Sequence, residues 1–174
     1  MKLNRIIPTV AAVAAVAAVT LLGACSPAAS TAAVLNGEVI TEASIDQAMT
    51  GCAEALQVDT SQLVRQGAVQ TMALASVFDS VVADFGEFSD DQVDKLGASQ
   101  GGQSAAMLGN EDCRRLARDS VKVSLLGQLD QQVVTQALQS ADIELNPRYG
   151  RWDPTDQGLF GSASLSVSSD ATLR

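Results

Sequence analysis

The sequence predicts a mainly α-helical domain of about four helices, with short N- and C-terminal β-strands that can pair. Three observations support this fold class. Apolar residues recur at helical spacing through most of the stretch 42–140. Asn36 and Gly37 separate two short apolar runs, which is typical of a β-hairpin. Polar and apolar residues then alternate over 142–145, which indicates a last strand.

The first 24 residues have the three parts of an export signal. Lys2 and Arg5 precede an uncharged, apolar run over 6–22, and positions 23–25 read Gly-Ala-Cys. Small residues fit the peptidase cleft, and the cysteine sulfur is the nucleophile that receives diacylglycerol. The spacing resembles the lipobox of bacterial lipoproteins. We therefore predict cleavage before Cys25, a lipid on its sulfur, and a location on the extracytoplasmic face of the cell membrane.

Two alternatives remain for this segment. One is an ordinary secretory signal cut near Ala24 or Ala28, and the other is an uncleaved transmembrane anchor; either still exports the domain. Residues 25–31 are small and polar and are expected to form a lipidated tether. The folded domain is assigned to 32–160, and the serine-rich stretch 161–174 to a disordered tail.

Composition narrows the function classes. Loss of the signal removes Lys2 and Arg5 but no acidic residue, so the formal net charge moves from −9 to −11. A surface of that sign repels phosphate backbones and anionic headgroups, so we expect no nucleic-acid partner and assign the anchoring to the lipid. The chain has no histidine, which removes the commonest general base and metal ligand. We expect no catalytic residue, no metal and no cofactor.

The cysteine count predicts one disulfide. With Cys25 committed to lipid, Cys52 and Cys113 remain as an even pair in an oxidising compartment. Closing a loop of that length would remove chain entropy worth roughly 4 kcal/mol. Two buried free thiols are the alternative; a reactive cysteine is disfavoured because neither has a basic partner or metal-site spacing.

Capping residues set the first two helices. Thr41 can cap a helix over 42–56, with an acidic residue in its first turn. Asp59 or Thr60 is then expected to begin a longer helix that reaches Phe85. Its apolar residues form a broad stripe, which is typical of a core helix.

The second half of the domain is predicted to hold two more helices. A Ser-x-x-Gln capping box at 89–92 opens a short one that ends near Leu96. Glycines and polar residues over 97–104 predict an exposed loop. Asn110 can cap the last helix, which we expect to be the longest and to end near Ser140.

A set of methionine and phenylalanine side chains could line a pliable groove for apolar peptide segments, because such side chains adapt to varied shapes. The set comprises Met72, Phe78, Phe85, Phe88 and Met107. The same residues can equally belong to the core. Tyr149 and Trp152 are expected to clamp the C-terminal strand onto the helices, with ligand binding as the alternative.

Three further patterns have simple interpretations. Ser99 lies in a G-x-S-x-G string, but a polar helix precedes it and no histidine is present, so we interpret it as part of a loop. An acidic triplet suits a solvated helix N-terminus better than a cation site. A basic triplet suits ion pairing with neighbouring acids better than an anion site. These triplets are Asp90, Asp91 and Asp94, and Arg114, Arg115 and Arg118.

The stretch 34–41, Val-Leu-Asn-Gly-Glu-Val-Ile-Thr, looks like the start of SurA-type N-terminal chaperone domains. The stretch 143–150, followed by Trp152-Asp153, is similar to small lipoproteins of high-GC Gram-positive bacteria assigned to that family. The resemblance spans about 32–160.

This resemblance implies a SurA/trigger-factor-like helical domain that holds exported polypeptides before they fold. Family members with prolyl isomerase activity carry a parvulin domain, for which this chain has no room, so it implies chaperoning without catalysis. The partners expected are therefore unfolded exported proteins. The alternative is an envelope scaffold lipoprotein that docks one dedicated folded partner.

Overall fold

The computed structural model describes residues 28–83 and 88–154. Within these ranges the chain forms six α-helices, two short 3-10 turns and one three-stranded antiparallel sheet. The predicted mainly α fold class is confirmed, with more helices than the four expected. The predicted signal peptide, Cys25, Phe85 and the tail from residue 161 lie outside the described residues.

The sheet brings the two ends of the domain together. It consists of β1 (Thr31–Leu35), β2 (Glu38–Thr41) and β3 (Ile143–Leu145) in the order β2-β1-β3, with both pairings antiparallel. Asn36 and Gly37 form the hairpin turn with φ of 49° and 87°, the positive values that an Asn-Gly turn requires. The predicted pairing of the N- and C-terminal strands is confirmed, and β1 is the central strand.

The first helix forms where the sequence predicts it, and the second begins later. α1 spans Glu42–Leu56, and the Thr41 hydroxyl accepts a hydrogen bond from a first-turn amide. Asp59 caps only a single 3-10 turn, Thr60–Gln62, because the next residue is extended with φ −91° and ψ 137°. α2 then spans Arg65–Ala83 and is the longest helix of the described part.

The predicted loop over 97–104 is wrong, because most of it is helical. α3 (Asp90–Ser99) starts at the predicted capping box and continues through the glycine, and α4 (Gly102–Gly109) follows after a two-residue break. Gly97 is buried, and a Cβ there would lie 2.7 Å from a methyl carbon of Leu108. This glycine therefore allows two helices to pack closely and does not end one.

The predicted single long helix from Asn110 to Ser140 is also wrong. The structure has α5 (Arg114–Leu126) and α6 (Gln131–Ser140). Gly127 follows the last residue of α5, and the Asp130 carboxylate accepts a hydrogen bond from a first-turn amide of α6. A glycine stop and a new N-cap thus divide the segment.

The core lies where α2 packs against the sheet on one side and α5 on the other. Its fully buried side chains include Ile40 of the sheet, Ile45 of α1 and Val69 and Val77 of α2. None of the helices in the described ranges has the length and apolar character needed to cross a membrane.

Candidate functional site

The methionine and phenylalanine set is packed into the core wherever the structure describes it. Met72 and Phe78 are 4% and 3% exposed. Phe88 packs edge-on against Phe78 with ring centroids 5.9 Å apart, and Met107 also packs against the core. Phe85 lies outside the described residues. The described members do not line an open groove, so the expectation of a groove is corrected. Their apolar side chains instead join α2, α3 and α4 to the core.

A hydrogen-bonded cluster fastens the segment after β3 to the starts of α1 and α2; we call it the terminal clasp. It comprises Glu42, Arg65, Asn146, Arg148 and Tyr149. The buried Tyr149 hydroxyl donates to Glu42 Oε2 at 2.6 Å and accepts from Arg65 Nε at 2.7 Å. Arg65 also pairs with Glu42 Oε2 at 3.1 Å and with Asp46. Tyr149 thus has the clamping position that the sequence predicts.

Asn146 carries the other half of the clasp. Its side chain is buried, and Nδ2 donates to the Thr31 carbonyl at 2.9 Å while Oδ1 accepts from the Arg148 amide at 3.3 Å. Arg148 Nη1 lies 3.4 Å from Glu42 Oε1. Burial raises the pKa of Tyr149, and its hydrogen bond to Glu42 acts in the same direction. The residues that follow β3 therefore have a structural role.

The sequence alone does not link the members of the clasp. Arg65 and Glu42 are isolated charged residues at the starts of two helices, and Tyr149 lies 84 positions after Arg65. An open cavity of about 590 Å³ lies beside them and is also lined by Ala29, from the segment that leads into β1. Trp152, which follows the clasp, is half-buried against the core.

The basic triplet of α5 is engaged by protein groups. Arg118 binds Asp94 through two hydrogen bonds of 2.8 and 2.7 Å and also pairs with Asp90. Arg115 pairs with Glu38 at 2.8 Å, and Arg114 Nε donates to the carbonyl oxygen of a residue at the end of α4. The expected ion pairing is present. The short contacts of Arg118 and Arg115 are with α3 and β2, and Arg115 also lies 4.0 Å from Asp119 on its own helix. The hydrogen bond between Asp94 and Arg118 lowers the pKa of Asp94.

The burial of Asp119, also on α5, is not offset by a close ion pair like those of Arg118. The residue is 8% exposed, and its Oδ2 is buried without a hydrogen-bond partner, 4.0 Å from Arg115 Nε. Burial raises its pKa to about 7, and the positive charges of Arg115 and Lys122 only partly offset that effect. The sequence does not reveal this burial, because it depends on tertiary packing.

Cys52 and Cys113 form the pairing that the cysteine count predicts. Their sulfur atoms are 2.00 Å apart and join α1 to the residue before α5, where both cysteines are buried. Gly51, beside this bond, is in close contact with the neighbouring segment: a Cβ there would lie 2.5 Å from that of Asp112 and 2.7 Å from Asn110 Oδ1. The disulfide and the glycine together set the separation of the two segments.

α6 has an exposed surface of polar and apolar side chains. The helix has no charged residue and no fully buried one. Its half-buried Val134, Ala137 and Leu138 pack against the core, while Val133 is 40% exposed and the preceding Leu129 36%. Polar side chains line a shallow cavity of about 390 Å³ beside them. We call the exposed residues the α6 surface: Leu129, Gln131, Gln132, Val133, Thr135, Gln136 and Gln139.

Ser99 ends α3, and its hydroxyl donates to the Leu96 carbonyl at 2.6 Å. Among the described residues, no group of three or more cysteine, aspartate or glutamate side chains is arranged to hold a metal ion. Comparisons with protein-family models, curated proteins and solved structures find no match to this chain.

Proposed function

We propose that this protein is an extracytoplasmic lipoprotein, held on the cell membrane by a lipid on Cys25, that binds unfolded segments of exported polypeptides without catalysing a reaction. The α6 surface carries this proposal. Apart from Asp130 at the N-terminus of the helix, it is an uncharged and partly apolar surface on a chain whose formal net charge is −9.

The chemistry of this surface suits an extended polypeptide of varied sequence. Each glutamine side chain offers two N–H donors and a carbonyl acceptor, which match the N–H and C=O groups of a peptide backbone. Val133 and Leu129 add apolar contact beside them. The acidic remainder of the domain repels acidic segments, so neutral and basic clients are favoured.

Two features support the proposed location. Disulfides persist mainly in oxidising, extracytoplasmic compartments, and Cys52 and Cys113 are paired in the fold. The lipobox-like sequence before Cys25 supplies an anchor.

Suppression of the aggregation of an unfolded client tests the binding. We expect the wild-type domain to suppress aggregation, and Val133→Glu to weaken suppression because it puts a charge into the α6 surface. Val64→Glu is the matched control, since Val64 is 70% exposed and lies outside that surface. No suppression at molar excess, or an equal loss in both variants, contradicts a binding role for α6.

A dedicated folded partner is the second candidate. The burial of Met72 and Phe78 favours it, because few large apolar residues remain exposed in the ranges 28–83 and 88–154. Crosslinking in cells separates the two functions. A spread of exported proteins supports the chaperone-like role, and one dominant partner supports the scaffold.

A further inference from the structure

Two backbone hydrogen bonds position the segment that precedes β1. The Thr31 amide donates to the Ala28 carbonyl at 2.7 Å, and the Glu42 amide donates to the Ser30 carbonyl at 2.8 Å. The segment before β1 is therefore bound to the start of α1. We call this region the tether end; it contains the starts of β1, α1 and α2, the terminal clasp and residues 151–153 that follow the clasp.

The distance from the tether end to the proposed lipid is limited by covalent geometry. Cys25 precedes Ala28 by three residues. Their Cα atoms can be at most about 11 Å apart, whatever conformation the residues between them adopt. A lipid on Cys25 would consequently keep the tether end close to the headgroups.

The charge at the tether end differs from that of the chain as a whole. Three cations face three carboxylates there, whereas the chain has 11 basic and 20 acidic residues. The cations are Arg65, Arg148 and Arg151, and the carboxylates are Glu42, Asp46 and Asp153. The side chains of Arg151 and Arg148 are 80% and 53% exposed. Among the carboxylates, Asp46 is 67% exposed, Asp153 28% and Glu42 16%.

We propose that the tether end is a membrane-contacting surface on which Arg148 and Arg151 bind the phosphates of anionic lipid headgroups. Guanidinium groups suit this partner because they bind phosphate through two parallel hydrogen bonds. Trp152 lies next to Arg151, and an indole ring is at home at the level of the headgroups. The inference rests on the lipidation of Cys25 proposed above, and it adds that the domain is held in one orientation.

The orientation decides which surface faces clients. β1 leads away from the tether end, so Asn36 lies roughly 16 Å further from it than Thr31, at about 3.3 Å per residue. Asn36 Nδ2 donates to the Ser76 carbonyl in α2, and Asn36 Oδ1 accepts from the amide of Asp142, just after α6. The end of α6 is thus fixed to the end of the sheet that lies farther from the membrane.

Trp152 is the only tryptophan in the chain, so it reports this orientation without any substitution. The full lipidated protein is reconstituted in phosphatidylcholine vesicles with and without phosphatidylglycerol, and some vesicles also carry a headgroup nitroxide. We expect the nitroxide to quench Trp152 strongly in anionic vesicles and less in neutral ones.

Charge reversal tests the role of the arginine. Arg151→Glu changes the charge by two units, and each unit near an anionic surface changes the orientation equilibrium by about fivefold. The variant should therefore shift this equilibrium by roughly 25-fold and restore Trp152 emission. Lys95→Glu makes the same change of charge at an exposed residue of α3 and should leave the quenching intact. Strong quenching that Arg151→Glu abolishes and Lys95→Glu preserves supports the inference.

Flotation of the vesicles separates the two proposals. A protein that does not float with the vesicles refutes the anchoring and this inference with it. A protein that floats with anionic vesicles while Trp152 emission is unchanged, or equally quenched in both variants, overturns the orientation and leaves the anchoring in place.

Discussion

Removal of the Asp119 charge should change the pH dependence of stability. The folded domain raises the pKa of this carboxyl from 3.8 to about 7 through burial. The folded state therefore holds the proton more tightly than the unfolded state, and this group's contribution to stability is most favourable below about pH 4. Its contribution falls as the pH rises to about 7, where the buried carboxylate is ionised. At 1.36 kcal/mol per pKa unit, the fall amounts to about 4 kcal/mol, an order-of-magnitude figure.

Asp119→Asn keeps the size of the side chain and removes the titration. Urea unfolding is followed by circular dichroism between about pH 4 and pH 8. The unfolding free energy of the variant, relative to the wild type, should increase with pH by a few kcal/mol in total. Asp94→Asn is the control, because its pKa is lowered by Arg118 and its charge is stabilising. That variant should lose stability at neutral pH. Equal pH profiles for wild type and Asp119→Asn would mean that the carboxyl is solvated, and the reasoning would fail.

Three further predictions concern the packing and the crosslink. Gly51→Ala should cost about 1–3 kcal/mol in urea unfolding, because its Cβ would overlap the neighbouring segment, whereas Gly67→Ala, whose nearest contact would be 3.8 Å, should be neutral or stabilising by up to about 1 kcal/mol. Mass spectrometry without reductant should find Cys52 joined to Cys113, and reduction should lower the unfolding free energy by about 2–4 kcal/mol; free thiols at both positions would contradict the pairing. Tyr149→Phe should lower stability by about 1–3 kcal/mol, since two charged groups lose a buried partner, and an unchanged urea midpoint would show that the clasp adds nothing.

The elements that the sequence predicts well are those whose cause is local. Thr41 and the apolar spacing after it define α1 because cap and periodicity lie within one helix. Asn36 and Gly37 define the hairpin for the same reason. The division between α5 and α6 is also visible in principle, because Gly127 and Asp130 are a stop and a cap three residues apart.

The features that the sequence does not reveal depend on tertiary contacts. Gly97 looks like a helix breaker until Leu108 of the next helix is placed against it. Asp119 has the spacing of a surface ion pair, and only the packing around α5 buries it. The same holds for Met72 and Phe78, because composition cannot distinguish a core from a groove when both need adaptable apolar side chains.

The position of β1 in the sheet connects the anchor with the clasp. The tether enters the central strand at Thr31, and a pull along it is opposed on one side by β2 and on the other by β3. Asn146 adds two hydrogen bonds at this point, from its amide to the Ala32 carbonyl and from Nδ2 to the Thr31 carbonyl. Force on a lipid at the proposed site, Cys25, would have to shear both ladders at once instead of peeling an edge strand. The terminal clasp therefore stabilises the strand from which the proposed anchor extends.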